Sequence, residues 1–371
     1  MKRHAMNSSR RAGVMAALAA AILFGVGTPL AKLLLAHTSA WLLAALLYLG
    51  SGVGLWVMRR VRRAPPVRLP EGQWRWLLGA VLSGGVIAPV LLMIGLASMS
   101  ASGAALLLNA EAVFTALLAW FAFNENFDRR IALGMLAIVA GAVVLSWPAG
   151  WPGDGGVNIT ALWPALAVLG ACFGWAIDNN LTRKVALEDA AWIAMVKGLI
   201  AGTTNLVIAI SLGASLPGLV AIGGAAVVGF LSYGASLALF VVALRHLGTA
   251  RTGAYFSVAP FFGAVVALLL LHEPLTLTLL LGGALMAVGV ALHLTEHHAH
   301  KHIHESLEHS HEHVHGADDL HHDHAHETVV PLQTRHTHAH RHAPVTHSHA
   351  HYPDAHHQHA HHKHGHHQHG Q

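Results

Sequence analysis

The sequence predicts an all-α membrane protein of ten transmembrane helices in two inverted five-helix repeats. Three observations predict it. First, 54% of the 371 residues are hydrophobic and only 11% charged, more apolar surface than a water-soluble domain of ordinary proportions can bury. Second, apolar stretches of about 20 residues, each long enough to cross a ~30 Å hydrocarbon core as helix, follow one another from Val14 to Leu294. Third, Lys and Arg collect in alternate loops, the distribution that orients spans with basic loops inside.

In chain order the helices are expected over 14–35, 40–58, 74–97, 101–123, 130–147, 161–182, 190–211, 218–244, 252–271 and 275–294. Residues 1–13 form a short N-terminal segment, 14–147 the first repeat, 148–160 a linker, 161–295 the second repeat and 296–371 a tail. Arg10 and Arg11 before the first apolar run resemble a secretory or twin-arginine signal, but the spans that recur behind it favour a retained first helix. The N-terminus holds Lys2, Arg3, Arg10 and Arg11, and alternate loops hold Arg59, Arg60, Arg62, Arg63 and Arg68, then Arg129 and Arg130, Arg183 and Lys184, and Arg245 and Arg251. The intervening loops, near His37, Met99, Gly153, Ala214 and Glu273, hold none. Both termini are therefore expected in the cytoplasm of a bacterial cell, with the chain in the inner membrane and the 148–160 linker periplasmic.

An offset of 148 residues lays Leu133 and Gly134 on Leu281 and Gly282, Gly141 on Gly289, and Glu125 on Glu273. Five helices per half is an odd number, so the halves cross the membrane in opposite senses. Inverted repeats of this kind are an architecture of secondary transporters.

The segment Ala105-Leu-Leu-Leu-Asn-Ala-Glu111-Ala-Val-Phe114-Thr-Ala-Leu-Leu-Ala-Trp120, followed by Asn124-Glu125, has a partner in Ser257-Val-Ala-Pro260-Phe-Phe through His272-Glu273-Pro274. The repeats open on Leu23-Phe-Gly-Val-Gly-Thr-Pro29-Leu-Ala-Lys32 and Phe173-Gly-Trp175-Ala-Ile-Asp178-Asn-Asn-Leu-Thr-Arg-Lys184. Over residues 12–295 the chain resembles the EamA family of the drug/metabolite transporter superfamily. The resemblance implies ten spans and secondary transport, often export, of a small organic metabolite or drug. Ala112 stands where the family often has a proline matching Pro260, so helix four is expected without the kink of helix nine. The tail has no counterpart in the family.

Polar groups at membrane depth cost about 2.5–3.5 kcal/mol for a central charge on insertion scales, so each one needs an account. Lys32, Glu111, Asp178 and Lys197 are the charged ones, and Asn109, Asn179, Asn180 and Asn205 the amides. Asp178 and Lys197 fall at similar depths on helices six and seven and can pair as a structural bridge or as part of a substrate or ion pathway. Asn205 follows Lys197 by two i, i+4 steps and extends the polar stripe. Lys32 is close enough to a helix end to snorkel to the interface. Glu111, near the middle of helix four, can escape its cost by taking a proton, which makes protons the candidate coupling ion. Glu125 and Glu273 read as helix-end charges, most tryptophans as interfacial anchors, and Trp120 and Trp175 as core packing.

The tail carries His309-Ser-His311-Glu-His313-Val-His315 and His347-Ser-His349-Ala-His351 among Asp, Glu, Gln, Thr and Pro. Such composition buries too little to fold, so the tail is expected to be disordered. Imidazole suits zinc and nickel, and repeats in a flexible chain offer many weak sites; no bound metal or cofactor is required by the core. A divalent metal exporter that uses the tail as collector is the rival reading, but no span carries paired His ligands. An enzyme is a poorer one: no paired catalytic aspartates, Ser/Lys dyad or His-Glu-x-x-His motif lies within a span, and the chain has no ATP-binding motif. The basic residues sit in short loops and form no surface for nucleic acid; the partners are the lipid bilayer and a small-molecule solute. The single cysteine, Cys172, rules out a disulfide framework. Substrate identity, direction and homodimer formation are left open by the residues.

Overall fold

A computed structural model describes residues 2–67, 69–70, 72–123, 129–147, 162–182, 185, 189–247, 252, 255–294, 299–304, 308–314, 335–341 and 345–350. Up to Glu296 the chain forms one compact unit, built of helices. These are α1 (Lys2–Leu35), α2 (Ala40–Val61), α3 (Trp74–Ser98), α4 (Ala101–Leu107 and Ala110–Phe123), α5 (Arg129–Ser146), α6 (Trp163–Thr182), α7 (Ala190–Ser211), α8 (Leu219–Leu247), α9 (Ala259–Leu270) and α10 (Leu277–Leu294). Among the described residues six helices are long and apolar enough to cross a membrane: those within α1, α2, α3, α4, α7 and α8. Arg130–Ser146, Ala259–Leu270 and Leu277–Leu292 are shorter apolar helices. Large apolar side chains face outward all along them, as Leu133, Leu136, Val220 and Leu269 do, which is the surface a bilayer solvates.

Helix ends differ from expectation by a few residues, with two exceptions. α9 begins at Ala259 and not near residue 252, after a turn at Ser257 and Val258. α1 starts at Lys2 and not near residue 14, because no proline interrupts helix formation in the first turns.

Small residues set the packing. α5 and α10 meet where a methyl on Gly141 would lie 2.8 Å from Gly282 O and one on Gly289 would lie 2.6 Å from Gly134 O. The two contacts exchange under the 148-residue offset. α2 and α7 meet through Gly198, whose added methyl would lie 2.8 Å from Gly52 Cα. Small residues let backbones approach within a membrane, where dispersion replaces the hydrophobic effect as the attraction. The largest buried cluster includes Leu43, Leu47, Leu92, Met93, Leu96, Leu107, Val168 and Met286, contributed by both halves.

Two helices depart from α geometry at matching places. α3 is π-helical over Val81–Ile87 and α8 over Phe230–Ala235. α4 is also broken, at Leu108 and Asn109, where bonds shorten to i→i+3, such as Glu111 N–H to Leu108 O at 3.1 Å. The expectation of an unkinked helix four is thereby corrected: no proline is present, but Asn109 Nδ2 donates to Leu106 O at 2.9 Å and competes with the helix ladder.

His297–Gln371 forms a separate unit. Where the composition predicts no regular structure, its described parts are extended. β1 (Ala299–His304) pairs antiparallel with β4 (Val345–Ala350), and β2 (Glu308–Val314) with β3 (Arg335–Arg341). The His-x-His pattern has the two-residue period of a strand.

Candidate functional site

The intramembrane polar residues converge around the π segment of α3. Lys197 Nζ on α7 lies 2.5 and 2.6 Å from Asp178 Oδ1 and Oδ2 on α6, so the pair foreseen from depth alone forms. Thr182 Oγ1 donates to Asp178 Oδ1 at 2.8 Å. The side chains are 8% and 18% exposed for Asp178 and Lys197, dry enough that each charge depends on the other. Gly84 has no room for a side chain, since a methyl there would overlap the Asp178 carboxyl.

Glu111 is next to this pair. The break in α4 puts it in the first turn of the second half-helix, Ala110–Phe123, where the helix dipole favours a negative charge. Asn179 Nδ2 donates to Glu111 Oε1 at 2.8 Å, and Phe114 and Phe173 stack edge to face beside it at 5.6 Å. Asp178 and Lys197 act on Glu111 electrostatically. Glu111, Asp178 and Lys197 together carry one negative charge without a cationic partner when both acids are ionised. The break leaves carbonyls that neighbours satisfy: Cys172 Sγ donates to Leu107 O at 3.6 Å. Asn180 Nδ2 donates to Ala176 O at 2.9 Å and Thr115 O at 3.4 Å.

Asn205 is fully buried. Its amide donates to Gly85 O at 3.2 Å and Val86 O at 3.4 Å, so it closes against α3. Lys32 is apart from the group. Its ammonium donates to Leu96 O, Ala97 O and Met99 O at 2.6, 3.1 and 2.9 Å and so caps the C-terminal end of α3, whose last carbonyls lack helical partners. Glu273 receives Ala101 N–H at 2.6 Å and Ser102 N–H at 2.9 Å, capping the N-terminus of α4. Together these two residues pin the α3–α4 turn. Glu125 lies outside the described residues.

Several contributors escape sequence reasoning. Trp175, expected as core packing, donates Nε1–H to Gly84 O at 2.9 Å, and Tyr48 Oη donates to the same oxygen at 2.8 Å. Trp120 is 39% exposed and faces outward. Beyond Tyr48 a run of rings crosses from one half to the other: Tyr48 to Tyr233 at 5.7 Å, Tyr233 to Phe24 at 5.9 Å, Phe24 to Phe256 at 5.4 Å and Phe256 to Phe240 at 5.0 Å. All five are partly exposed. The only advance signal was that tyrosine, with its polar hydroxyl, is rare here, four residues in all, and that Tyr48 and Tyr233 fall inside spans.

Among the described residues no group of three His, Cys, Asp or Glu is placed to hold a metal ion. His309, His311 and His313 fall on β2, His347 and His349 on β4, and His315 and His351 lie outside the described residues.

The chain matches the model of the EamA-like transporter family over residues 11–147 and again over 162–295. It is 29% identical over 295 residues to an uncharacterized transporter of Methanothermobacter thermautotrophicus, covering 75% of this chain and 84% of that protein. It is 27% identical over 290 residues to the uncharacterized transporter YvbV of Bacillus subtilis, covering 76% and 90%. A solved crystal structure shares the fold at 18% identity, with a TM-score of 0.57 over 77% of this chain and 95% of its own. With apolar helices throughout and two copies of the family pattern in one chain, this protein is a multi-pass membrane protein that belongs to the EamA-like transporter family.

Proposed function

We propose that the protein is a secondary active exporter of a small organic metabolite or drug across the bacterial inner membrane. In this reading ten spans form two inverted five-helix repeats, both termini are cytoplasmic, and the solute passes between the halves along the aromatic run. The observation that carries the reading is the exchange symmetry of the packing. α2 packs on α7 and α5 on α10, each the other's equivalent, while α1–α8 is matched by α3–α6 and α1–α9 by α4–α6. A molecule whose two halves make the same contacts in opposite membrane senses has two related conformations of similar energy, the requirement for alternating access.

Glu111 carries the coupling proton. It is a carboxylate at membrane depth with one amide partner, at the start of a half-helix, beside an ion pair that is already neutral as a unit. The tail has a separate role, weak collection of zinc or nickel on its His-x-His repeats, and the core requires no cofactor.

Everted vesicles test the reading with a panel of radiolabelled amino acids, ethidium and zinc at two proton gradients. Uptake of an organic probe that rises with the gradient is expected. Glu111→Gln should abolish gradient-driven accumulation while exchange of the same probe continues. Transport of zinc alone, lost on removal of the tail, would replace this reading with metal export.

A further inference from the structure

Among the described residues each half contains one π-helical segment, and the two occupy matching places. Val81–Ile87 and Phe230–Ala235 coincide to within about one residue under the offset that relates Gly134 to Gly282. A π turn bonds each carbonyl to the fifth amide onward, so the return to α-helix skips one carbonyl. In α3 the last such bond runs from Ala88 N–H to Ser83 O, and Gly84 O is skipped. In α8 it runs from Ser236 N–H to Leu231 O, and Ser232 O is skipped. Gly84 and Ser232 are themselves equivalent under the offset.

Around α3 the protein supplies replacements. Tyr48 and Trp175 donate to Gly84 O at 2.8 and 2.9 Å. Pro89 has no N–H to offer Gly85 O, and Asn205 takes its place at 3.2 Å. Pro89 also prevents the segment from relaxing into unbroken α-helix. α3 is thus held in its irregular form by its own proline and by side chains from α2, α6 and α7.

Around α8 none of this is repeated. The positions matching Tyr48, Trp175, Asn205 and Pro89 are Gly198, Val26, Leu55 and Leu237, since α2 and α7 start 150 residues apart and the Phe-Gly pairs of α1 and α6 lie 149 apart. The first three have no side-chain donor, and Leu237 keeps the amide that lets a helix close. The residues at the matching positions thus supply no side-chain donor to the carbonyls of Phe230–Ala235. Gly27 packs on Ser232, an added methyl lying 2.8 Å from Ser232 Oγ, but contributes no hydrogen bond. Ser236 Oγ does bond to Ala20 O at 2.8 Å, as a donor from α8 that leaves the carbonyls of the segment untouched.

We infer that α8 is the bending arm of the transport cycle and α3 the fixed one, so that the gate is in the second half and the frame in the first. The inference rests on the alternating-access reading above and removes its symmetry. Its consequence for the solute path is direct, because Tyr233 lies within the α8 segment and stacks on both Tyr48 and Phe24. Bending of α8 shifts the middle ring of the aromatic run, whereas α3, with Asp178 and Lys197 packed against it, keeps the polar cluster in place.

The test measures distances between nitroxide labels within each helix, in full-length protein in lipid nanodiscs with Cys172→Ala as background. One pair replaces the exposed Leu78 and Ala97 on α3, the other the exposed Val220 and Val242 on α8. The α8 pair should give a distribution at least about twice as broad as the α3 pair, or two peaks. Tyr48→Phe with Trp175→Phe should broaden the α3 pair. Equal widths, or a broader α3 pair, overturn the inference. The comparison of the two pairs in the otherwise native helices decides this even where the Tyr48/Trp175 variant fails to fold. Narrow distributions in both helices, in protein that transports an organic probe, overturn bending but leave rocking of rigid halves. Absence of transport of every organic probe by the native chain overturns the alternating-access reading beneath it.

Discussion

Asp178 and Lys197 show how much a pair of charges depends on its partner once water is gone. Removing one member of a buried pair costs about 3–5 kcal/mol, because the other is left uncompensated, while removing both is far milder. Asp178→Asn or Lys197→Met alone should therefore sharply lower the fraction of protein that survives heating in detergent, and the double variant should recover most of it. Additive losses would mean the two act separately. Near the ends of α2 and α7 a different ion pair joins Arg59 to Asp189. Asp189 also caps α7, accepting Ala191 N–H at 2.9 Å and Trp192 N–H at 3.2 Å. Burial pushes its carboxyl up, but the bonds from Arg59 and these amides prevail and hold it below the ordinary range. A carboxyl lowered by folding stabilises above its unfolded value, about 3.9, and loses that contribution as the pH falls through its folded value. Asp189 is about a third exposed, so the effect is small, roughly 0.2–1 kcal/mol. Arg59→Ala should lower thermal stability at pH 7, and the difference from the native chain should shrink below about pH 4; a difference constant with pH would exclude the pair.

At the scale of elements, the joins between helices depend on where a glycine can be replaced. Gly141→Leu should force α5 and α10 apart, since the added side chain meets Met286 and Gly282 O, with a loss of about 1–3 kcal/mol or more, as for overpacked cores. Gly223 on α8 has nothing within 4 Å of an added methyl. Gly223→Ala should be neutral or stabilising by about 0.4–1 kcal/mol, through fewer unfolded conformations. Thermal melts of the two variants in the same detergent check the contrast, and equal destabilisation would refute it. The same packing logic separates the irregular helices: α3 and α8 have similar backbones, but the positions that supply donors to α3 are matched by apolar residues and glycine around α8.

For the whole molecule, the compact unit ending at Glu296 contains every intramembrane polar group described above. A chain truncated after Thr295 should therefore insert fully and keep its thermal stability in detergent. Reporter fusions at both termini should read cytoplasmic, and one within 153–156 periplasmic. A periplasmic C-terminus would overturn the topology, and loss of insertion on truncation would tie the tail to the fold.

Class and helix order were legible in the residues, because hydropathy, basic-loop alternation and an internal offset are properties of a line. A stretch of about 20 apolar residues can bury its backbone in lipid only as helix, whatever its neighbours. The pairing of Asp178 with Lys197 was legible too, since depth along a helix follows from counting. The partners of Lys32, Asn205, Trp175 and Tyr48 were not, because each bonds to a backbone carbonyl, and every residue has one. Which carbonyl is free depends on where a helix turns π or breaks, and in α3 and α4 that was decided by packing around Pro89 and by Asn109. The sequence by itself determined a membrane-embedded, twofold-repeated helical chain with polar residues on helices four, six and seven. Only the tertiary structure decided that the cluster closes around one irregular helix, because that requires side chains from α2, α6 and α7 to meet neighbouring backbone oxygens of α3 in space.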